Sequence, residues 1–217
     1  INIILFNNRT YGLTKGQYSP TSEIGKKTVS SPMGTIEHPL SPARIALAAE
    51  SSFVARTIAV DGTHLSYILD RAANHNGSCF IEVYQNCNIY NDGAFDYFAH
   101  KDVRALKTLD LRHGKPLLFG EKNDKGIKLS GLSPVICESD DPDLIIHDET
   151  SDNTVLPYIL AHMTPQEGLP LPLGVLRAVQ RQTYDQGMSM QIAQARKNNP
   201  KGGIRQLLRS GHTWNSV

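Results

Sequence analysis

The sequence predicts an α/β fold, with a parallel sheet covered by helices, followed by a mixed α+β carboxyl-terminal extension. Three observations lead to this prediction. Residues 1–6 form a short apolar run in which only Asn2 is polar, as expected of a parallel strand that is covered on both faces. Strand and helix patterns then alternate, which indicates a helix-covered parallel sheet. Beyond about residue 97, Asp, Lys, Gly and Pro interrupt shorter apolar stretches, so we divide the chain into 1–97 and 98–217.

The elements of the first part follow from local patterns. The first strand is followed by a long loop, residues 10–42, which is rich in Gly, Pro, Ser and Thr and is of a length typical of functional loops. Ser41 and Pro42 are typical of a helix cap and first helical position, and the apolar residues up to Ala49 continue that helix. The remaining predicted elements are a strand over 53–60, a turn and cap at 61–63, a helix over 65–74 and a strand over 79–84.

The second part predicts shorter and more varied elements. They are hairpin-like strands over 115–119 and 126–135, a helix over 152–163, an extended segment over 174–179 and a helix over 184–197. In parallel sheets, ligands bind outside the carboxyl ends of the strands. We therefore expect a site where Asn7-Asn8 and Cys87 follow the first and third strands.

Composition limits the classes of function. The 22 Lys and Arg residues balance 21 Asp and Glu residues, so the net charge of +1 predicts no nucleic-acid or membrane partner. No apolar run approaches the roughly 20 residues of a membrane span. The apolar start lacks the features of a signal peptide, which favours a cytoplasmic location. The chain opens inside a strand without Met, and we expect its domain to begin before residue 1.

The loop after the first strand carries the strongest chemical signal. The run from Asn7 to Thr21 offers an amide oxygen, backbone carbonyls and hydroxyl groups beside glycines. Hard oxygen ligands of this kind suit Mg²⁺, which commonly shares its coordination shell with substrate phosphates. The residue types alone leave two interpretations open with similar weight. One is a site for Mg²⁺ and a diphosphate, and the other is a polar turn that merely reverses the chain.

The same run resembles a known motif. The pattern Asn-Asn-x-x-Tyr-Gly-Leu-Thr-x-Gly-Gln-x-Ser-Pro-Thr is similar to the second half of the thiamine diphosphate-binding motif in β subunits of 2-oxoacid:ferredoxin oxidoreductases. The resemblance implies a thiamine diphosphate-binding fold in which the side-chain oxygen of Asn8 and the backbone carbonyl of Thr10 bind Mg²⁺. It also implies that the cofactor lies against Tyr11, Gly12, Leu13 and Thr14, with Thr14 at the diphosphate. Many family members have Gly where this chain has Lys15.

A second resemblance concerns Cys87. The segment from Glu82 to Asn91 is similar to the family segment that delivers one cysteine to a four-iron four-sulfur cluster. Taken alone, Cys87 is more often a small buried hydrophobic residue; the resemblance implies that it is a cluster ligand. Such clusters usually take four thiolates, and the family supplies the other three from a segment outside this chain. Cys79 and Cys137 lie in apolar runs, and we expect both in the core.

The extension also resembles the long β subunits of 2-oxoglutarate:ferredoxin oxidoreductases. The segments that carry this likeness are Arg112–Gly120, Ile146–Glu149, Leu173–Val179 and Leu207–Trp214. The resemblance implies coenzyme A-dependent oxidative decarboxylation of a 2-oxoacid, most consistent with 2-oxoglutarate, with electrons passed through the cluster to ferredoxin. It further implies an α-subunit partner. We expect the isolated 217-residue chain to be inactive and unable to hold its cofactors alone.

Several alternatives remain open at this level. They are the same chemistry on pyruvate or branched 2-oxoacids, a thiamine diphosphate decarboxylase or transketolase-like enzyme without a cluster, and a non-catalytic docking or scaffold subunit. A nucleotide site is disfavoured because the loop matches neither common phosphate-binding glycine motif.

The remaining polar residues give weaker signals, and no catalytic residue is assigned from them. The dispersed His113, His147 and His212 do not predict a metal site, and His147-Asp148-Glu149 is expected to be a polar loop or an interface patch. Substrate contact stays open for His38 and His64. Four tyrosines could line the cofactor cleft or simply pack, namely Tyr11, Tyr18, Tyr84 and Tyr90. Four basic residues are expected to be solvated unless one clamps a carboxylate, namely Lys26, Lys27, Arg44 and Arg56.

Overall fold

A computed structural model describes residues 1–199 and 203–211 of the chain. The strands in these residues are β1 Asn2–Asn7, β2 Thr10–Tyr11, β3 Gln17–Tyr18, β4 Phe53–Ile58, β5 Cys79–Tyr84, β6 Thr108–Leu111, β7 Leu118–Phe119, β8 Lys125–Ser130, β9 Ser133–Glu138 and β10 Leu171–Ala178. The helices are α1 Pro42–Ala48, α2 Gly62–Ala73, α3 Asp96–Ala99, α4 Lys101–Lys107, α5 Val155–His162, α6 Tyr184–Asn198 and α7 Ile204–Leu208. None of the helices described here is both long enough and apolar enough to cross a membrane.

A five-stranded sheet in the order β1-β5-β4-β10-β6 forms the centre of the fold. β1, β5 and β4 run parallel, with Cys79 of β5 opposite both Asn2 and Phe53. β10 is antiparallel to β4 and parallel to β6. The prediction of a mostly parallel sheet is therefore confirmed.

Helices cover both faces of this sheet. Successive strand residues point in opposite directions and therefore pack against different helix layers. Val54 of β4 lies in a core cluster with residues of α1 and α5, such as Leu47 and Leu160. The neighbouring Phe53 lies in a second cluster with Ile68 of α2. This packing on both faces explains why β4 is buried along its whole length.

The first strand differs from the expectation. β1 occupies an edge of the described sheet, and Ile3 and Phe6 are 53% and 57% exposed. We predicted a strand covered on both faces, and this was wrong for the described residues, because the side chains of residues 2–6 are exposed or only half-buried. The apolar run identifies a strand correctly but does not determine what covers it.

Helix and strand boundaries in the first 97 residues agree with the predicted spans to within three residues; the largest difference is the start of α2, which was predicted at residue 65 and lies at Gly62. β5 spans the predicted residues, and α2 begins after Asp61, whose side chain accepts a hydrogen bond from the backbone N–H of His64 at 3.0 Å. α1 begins at Pro42 as predicted. Ser41 has extended backbone angles at the cap position, but its side chain makes no capping hydrogen bond.

The chain beyond residue 97 is not structurally separate from the sheet. β6 and β10 both come from this part and complete the central sheet. The compact units are Ile1–Gln180 and Arg181–Val217, so the expected boundary near residue 97 does not divide two compact units. A change in composition does not reveal the boundary between the compact units, because strand pairing joins segments that are distant in sequence.

A second sheet contains β7, β8 and β9 in antiparallel order. The predicted strand over 126–135 is in fact two strands, because Gly131 has a φ of +64° and the chain reverses there. Such a left-handed conformation favours glycine and is typical of a tight turn.

The unit Arg181–Val217 contains α6 and α7. α6 begins with a capping box, in which the Thr183 side chain accepts from the Gln186 backbone and the Gln186 side chain accepts from the Thr183 backbone. This helix matches the predicted span within one residue at its end. Of the resembling segment Leu207–Trp214, residues 212–214, including His212, lie outside the described part.

Candidate functional site

The carboxyl ends of β1 and β5 lie side by side. Asn7 is opposite Tyr84 at the end of the parallel pairing, and the backbone N–H of Gln85 donates to the Asn7 carbonyl at 3.1 Å. The loop that follows β1 and the loop that contains Cys87 therefore leave the sheet at the same edge. This is the juxtaposition that the parallel topology predicts.

The loop after β1 folds back as a short hairpin. β2 pairs with β3, and the Thr10 hydroxyl donates to the Gln17 carbonyl at 3.1 Å. Lys15 and Gly16 form the reversal with φ values of +64° and +96°. This region is accessible to glycine without strain, which explains why a glycine at the position of Lys15 is compatible with the same turn.

All six residues predicted to bind the cofactor lie in the wall of one cavity of about 870 Å³. They are Asn8, Thr10, Tyr11, Gly12, Leu13 and Thr14. The Asn8 side-chain oxygen accepts from the Thr10 N–H at 3.2 Å, and the Thr14 hydroxyl donates to the Tyr11 carbonyl at 3.2 Å. These are hard, uncharged oxygen donors, and such a set fits Mg²⁺ that is shared with an anionic phosphate.

A buried ion pair supports the start of this loop. The Glu82 carboxylate accepts from the Asn7 side-chain amide at 2.8 Å and from Arg56 Nε at 3.1 Å. The Asn7 oxygen in turn accepts from the Thr21 hydroxyl at 2.7 Å. Glu82 and Arg56 are 1% and 2% exposed, so the expectation that Arg56 is solvated was wrong. The sequence signal that could have revealed the pair is two opposite charges, each in the middle of an apolar strand.

The Cys87 loop contacts the first loop through Asn91. The Asn91 side-chain amide donates to the Asn8 carbonyl at 2.9 Å, and its side-chain oxygen accepts from Lys26 Nζ. Its backbone N–H donates to the Cys87 carbonyl at 3.0 Å. Asn91 is buried and thus joins the two segments that the sequence marked independently. The segment from Glu82 to Asn91 contains this residue, but no sequence signal indicated its role.

The environment of Cys87 favours its thiolate. Hydrogen bonds from the backbone N–H groups of Tyr90, Ile89 and Asn91 lower the pKa of the Cys87 thiol, and burial opposes them. A thiolate is the form that ligates iron or other metals. Nevertheless, the described residues bring no group of three or more His, Cys, Asp or Glu side chains together for a metal. Cys87 can therefore supply one ligand of a cluster, and the described part of this chain does not supply the others.

The other two cysteines lie away from this edge. Cys79 is buried in the core as expected, where burial raises the pKa of its thiol. Cys137 is only half-buried in β9, so the prediction that it is a core residue was wrong. Cys137 alternates along β9 with the exposed Ile136 and Glu138, so it lies on the less exposed face of a sheet in which that face is only partly covered.

The structure also corrects the interpretation of His147-Asp148-Glu149. His147 is 1% exposed, with Nε2 at 2.7 Å from the Val175 carbonyl, and burial lowers the pKa of its imidazole. Glu149 is also buried and pairs with Arg71. These two side chains belong to the interior rather than to a polar loop or an interface patch.

The tyrosines and histidines whose roles the sequence left open lie in different surroundings. Tyr11 lines the cavity of about 870 Å³, and Tyr90 packs beside Gly16, where an added Cβ would lie 2.9 Å from its ring. Tyr84 packs against aromatic rings, and burial raises its pKa to about 12. Tyr18 donates to Glu37 at 3.2 Å. His64 lies 2.8 Å from the Thr57 hydroxyl and does not reach the cavity, whereas His38 lines a neighbouring cavity.

Comparisons with known proteins agree with this geometry. Residues 1–83 match the family model described as thiamine pyrophosphate enzyme, C-terminal TPP binding domain. The chain is 38% identical over 219 residues to the 2-oxoglutarate oxidoreductase subunit KorB of Mycobacterium tuberculosis. This alignment covers 99% of this chain and 58% of that protein. It is 42% identical over 132 residues to the 2-oxoacid:ferredoxin oxidoreductase 1 subunit beta of Aeropyrum pernix, and this alignment covers 61% of this chain and 41% of that protein.

A solved structure supports the fold. The chain aligns with the 2-oxoglutarate:ferredoxin oxidoreductase from Magnetococcus marinus with a TM-score of 0.66 and 20% sequence identity, over 98% of this chain and 58% of that one. The chain thus spans less than two thirds of the length of the relatives that it matches over nearly its whole length.

Proposed function

Because this chain is homologous to the β subunits of 2-oxoacid:ferredoxin oxidoreductases over nearly its whole length, we propose that it is part of a cytoplasmic enzyme of that class. The proposed reaction is the coenzyme A-dependent oxidative decarboxylation of a 2-oxoacid, with 2-oxoglutarate as the substrate, succinyl-CoA and CO₂ as products, and ferredoxin as electron acceptor. The proposed partner is an α subunit of the same complex.

The observation that carries this proposal is the cavity at the carboxyl edge of β1. Six residues of a recognisable cofactor motif line it, and they present oxygen donors that suit Mg²⁺. Thiamine diphosphate, when bound, supplies the carbanion and the electron sink that decarboxylation of a 2-oxoacid requires. The chain's own part is to hold the metal with the Asn8 side chain and the Thr10 carbonyl, and the diphosphate with Thr14.

The fixed position of these donors depends on the surrounding contacts. Asn7, anchored on the buried Glu82, fixes the point at which the loop leaves β1, and Asn91 fixes the Asn8 backbone. Preorganisation of this kind reduces the entropy that cofactor binding must overcome. We further propose that Cys87 is one ligand of a four-iron four-sulfur cluster, with the other ligands outside the described residues. The isolated chain is accordingly expected to be inactive.

The experiment that tests the function uses the native complex that contains this chain. Coenzyme A-dependent reduction of a viologen dye is measured anaerobically with 2-oxoglutarate, pyruvate and 2-oxoisovalerate in parallel. Activity with 2-oxoglutarate above the other two acids supports the proposal. Activity with another acid alone keeps the chemistry and refutes the substrate, and activity with none supports a scaffold role.

Two substitutions separate the remaining alternatives. Asn8→Ala is expected to abolish activity at limiting thiamine diphosphate, because it removes a proposed metal ligand, whereas a scaffold subunit would tolerate it. Asn76→Ala, at an exposed loop position between α2 and β5, is the matched control. Cys87→Ser is expected to abolish dye reduction and to change the iron content of the complex. Full activity in Cys87→Ser would favour a decarboxylase or transketolase-like enzyme without a cluster.

A further inference from the structure

A second cavity of about 450 Å³ adjoins the proposed cofactor cavity. The two share Asn7, Arg9 and Thr21 in their walls, so they meet at the carboxyl edge of β1. Arg44, on the first turn of α1, and Arg56, on β4, also line the second cavity. Three guanidinium groups thus surround a space of a size suited to a small organic molecule.

Arg56 has an unused donor in this place. Its Nε donates to Glu82 at 3.1 Å and its Nη2 donates to the Ala161 carbonyl at 3.2 Å. The whole side chain is only 2% exposed. Its Nη1 is therefore shielded from water, and it has no hydrogen-bond partner in the protein. Leaving a buried donor unpaired is unfavourable. Arg56 lines the cavity, so an acceptor that reached this nitrogen from the cavity would supply the missing hydrogen bond.

The cavity wall contains three arginines and three glutamates, because Glu167 lines it together with Glu23 and Glu82, but not every arginine is paired directly. Arg56 pairs with Glu82, and Arg9 lies 4.0 Å from Glu23. Arg44 makes no ion pair with a carboxylate among the described residues, and its Nη1 lies 2.7 Å from Nδ1 of His162. His162 itself lies 3.9 Å from Glu167 through its other nitrogen. Arg44 is thus the one guanidinium of the three with no direct carboxylate partner among the described residues, and a single free guanidinium matches a carboxylate better than a doubly charged phosphate.

We propose that this cavity binds a carboxylate group of the 2-oxoacid substrate, held by Arg44 and by Nη1 of Arg56. The proposal rests on the proposed function and adds the residues that recognise its substrate. Arginine suits the role because its planar fork of donors matches the geometry of a carboxylate. The shared wall places a ligand of this cavity beside the proposed cofactor cavity, as a reacting substrate requires.

Arg44 is the residue to substitute, because it is half-buried and outside the Arg56–Glu82 pair. We expect Arg44→Gln in the native complex to raise the KM for 2-oxoglutarate about 10- to 100-fold, the range for loss of a charged hydrogen bond. The KM for coenzyme A should stay unchanged. Arg112→Gln, which removes a guanidinium paired with Asp110 and is not in the cavity wall, is the matched control and should leave both constants unchanged.

The substrates distinguish which carboxylate is bound. A raised KM for 2-oxoglutarate but not for pyruvate supports a contact with the distal carboxylate, and an equal rise for both supports a contact with the carboxylate beside the oxo group. A rise confined to coenzyme A would mean that the cavity binds a phosphate of that molecule, and it would overturn the proposal. Unchanged constants in Arg44→Gln would overturn it as well.

A binding measurement separates this proposal from the proposed function. Calorimetry with glutarate, a dicarboxylate without a reactive oxo group, is expected to show binding to the native complex and at least about tenfold weaker binding to Arg44→Gln. If the complex oxidises no 2-oxoacid but glutarate binding still depends on Arg44, the carboxylate site stands and the proposed reaction fails. If 2-oxoglutarate is oxidised and glutarate binds both forms equally, the site is refuted and the reaction stands.

Discussion

Replacing Glu82 with glutamine should destabilise the sheet edge on which the candidate site is built. Both carboxylate oxygens of Glu82 accept hydrogen bonds, one from the Asn7 amide at 2.8 Å and one from Arg56 Nε at 3.1 Å. Glutamine has one acceptor oxygen and one NH₂ donor. Whichever way the new amide is oriented, one of the two partners faces a donor, and the Arg56 charge loses its counter-ion.

The size of the effect follows from burial. Both members of the pair are almost fully inaccessible, at 1% and 2% exposure, and breaking a buried pair by removing one partner costs about 3–5 kcal/mol. With a denaturant slope of about 2 kcal/mol per molar urea, the unfolding midpoint should fall by about 1.5–2.5 M. The assay is urea unfolding followed by circular dichroism, with Glu82→Gln measured beside the unmodified chain.

A matched substitution controls for the chemistry of the change. Glu121→Gln alters an exposed residue between β7 and β8, and an exposed substitution of this kind should change stability by less than about 0.5 kcal/mol. Equal midpoints for Glu82→Gln and Glu121→Gln, within about 0.3 M by the same slope, would refute the reasoning that the Arg56–Glu82 pair holds this edge together.

Three further predictions follow from other parts of the structure. Asn91→Ala removes the amide that holds the Asn8 backbone at 2.9 Å, so the thiamine diphosphate concentration for half-maximal activity of the complex should rise about tenfold, the equivalent of about 1.4 kcal/mol. Gly174→Ala should lower the free energy of unfolding by about 1–3 kcal/mol, because Gly174 has a φ of +130° and an added Cβ would lie 2.7 Å from the Leu111 carbonyl. The cluster-free Cys87 thiol should react with iodoacetamide at lower pH than Cys137, since backbone hydrogen bonds lower the pKa of Cys87, whereas burial and Asp141 raise that of Cys137.

Each of these has its own control. Asn76→Ala should leave the thiamine diphosphate concentration for half-maximal activity unchanged. An equal rise of this concentration in Asn76→Ala and Asn91→Ala would refute the role of Asn91. Gly131→Ala shares a positive φ but has nothing within 4 Å of the added Cβ, so a larger loss there than at Gly174 would contradict the steric argument. The alkylation of Cys87 and Cys137 is measured by mass spectrometry at a series of pH values. Each thiol becomes reactive as the pH rises through its pKa, because the thiolate forms there. The opposite order of the two half-reaction pH values would show that the N–H groups do not stabilise the Cys87 thiolate.

The sequence alone determined the elements that depend on local pattern. β5 was predicted to the residue and α6 to within one residue, because an apolar run ended by polar residues and a helical pattern are properties of short segments. The candidate cofactor residues were also found locally, since they form one continuous run from Asn8 to Thr14. Parallel topology then required that run and Cys87 to meet at one edge, and the structure has them there.

Only the tertiary structure decided features that depend on partners distant in the chain. Arg56 and Glu82 are 26 residues apart, and each looks like an isolated charge until β4 and β5 pair and bury both. The role of Asn91 was hidden in the same way, because its amide contacts a backbone carbonyl 83 residues earlier. The edge position of β1 and the membership of β10 in the central sheet likewise depend on strand order. Local sequence determines what a segment can form, whereas burial and pairing depend on which other segments pack against it.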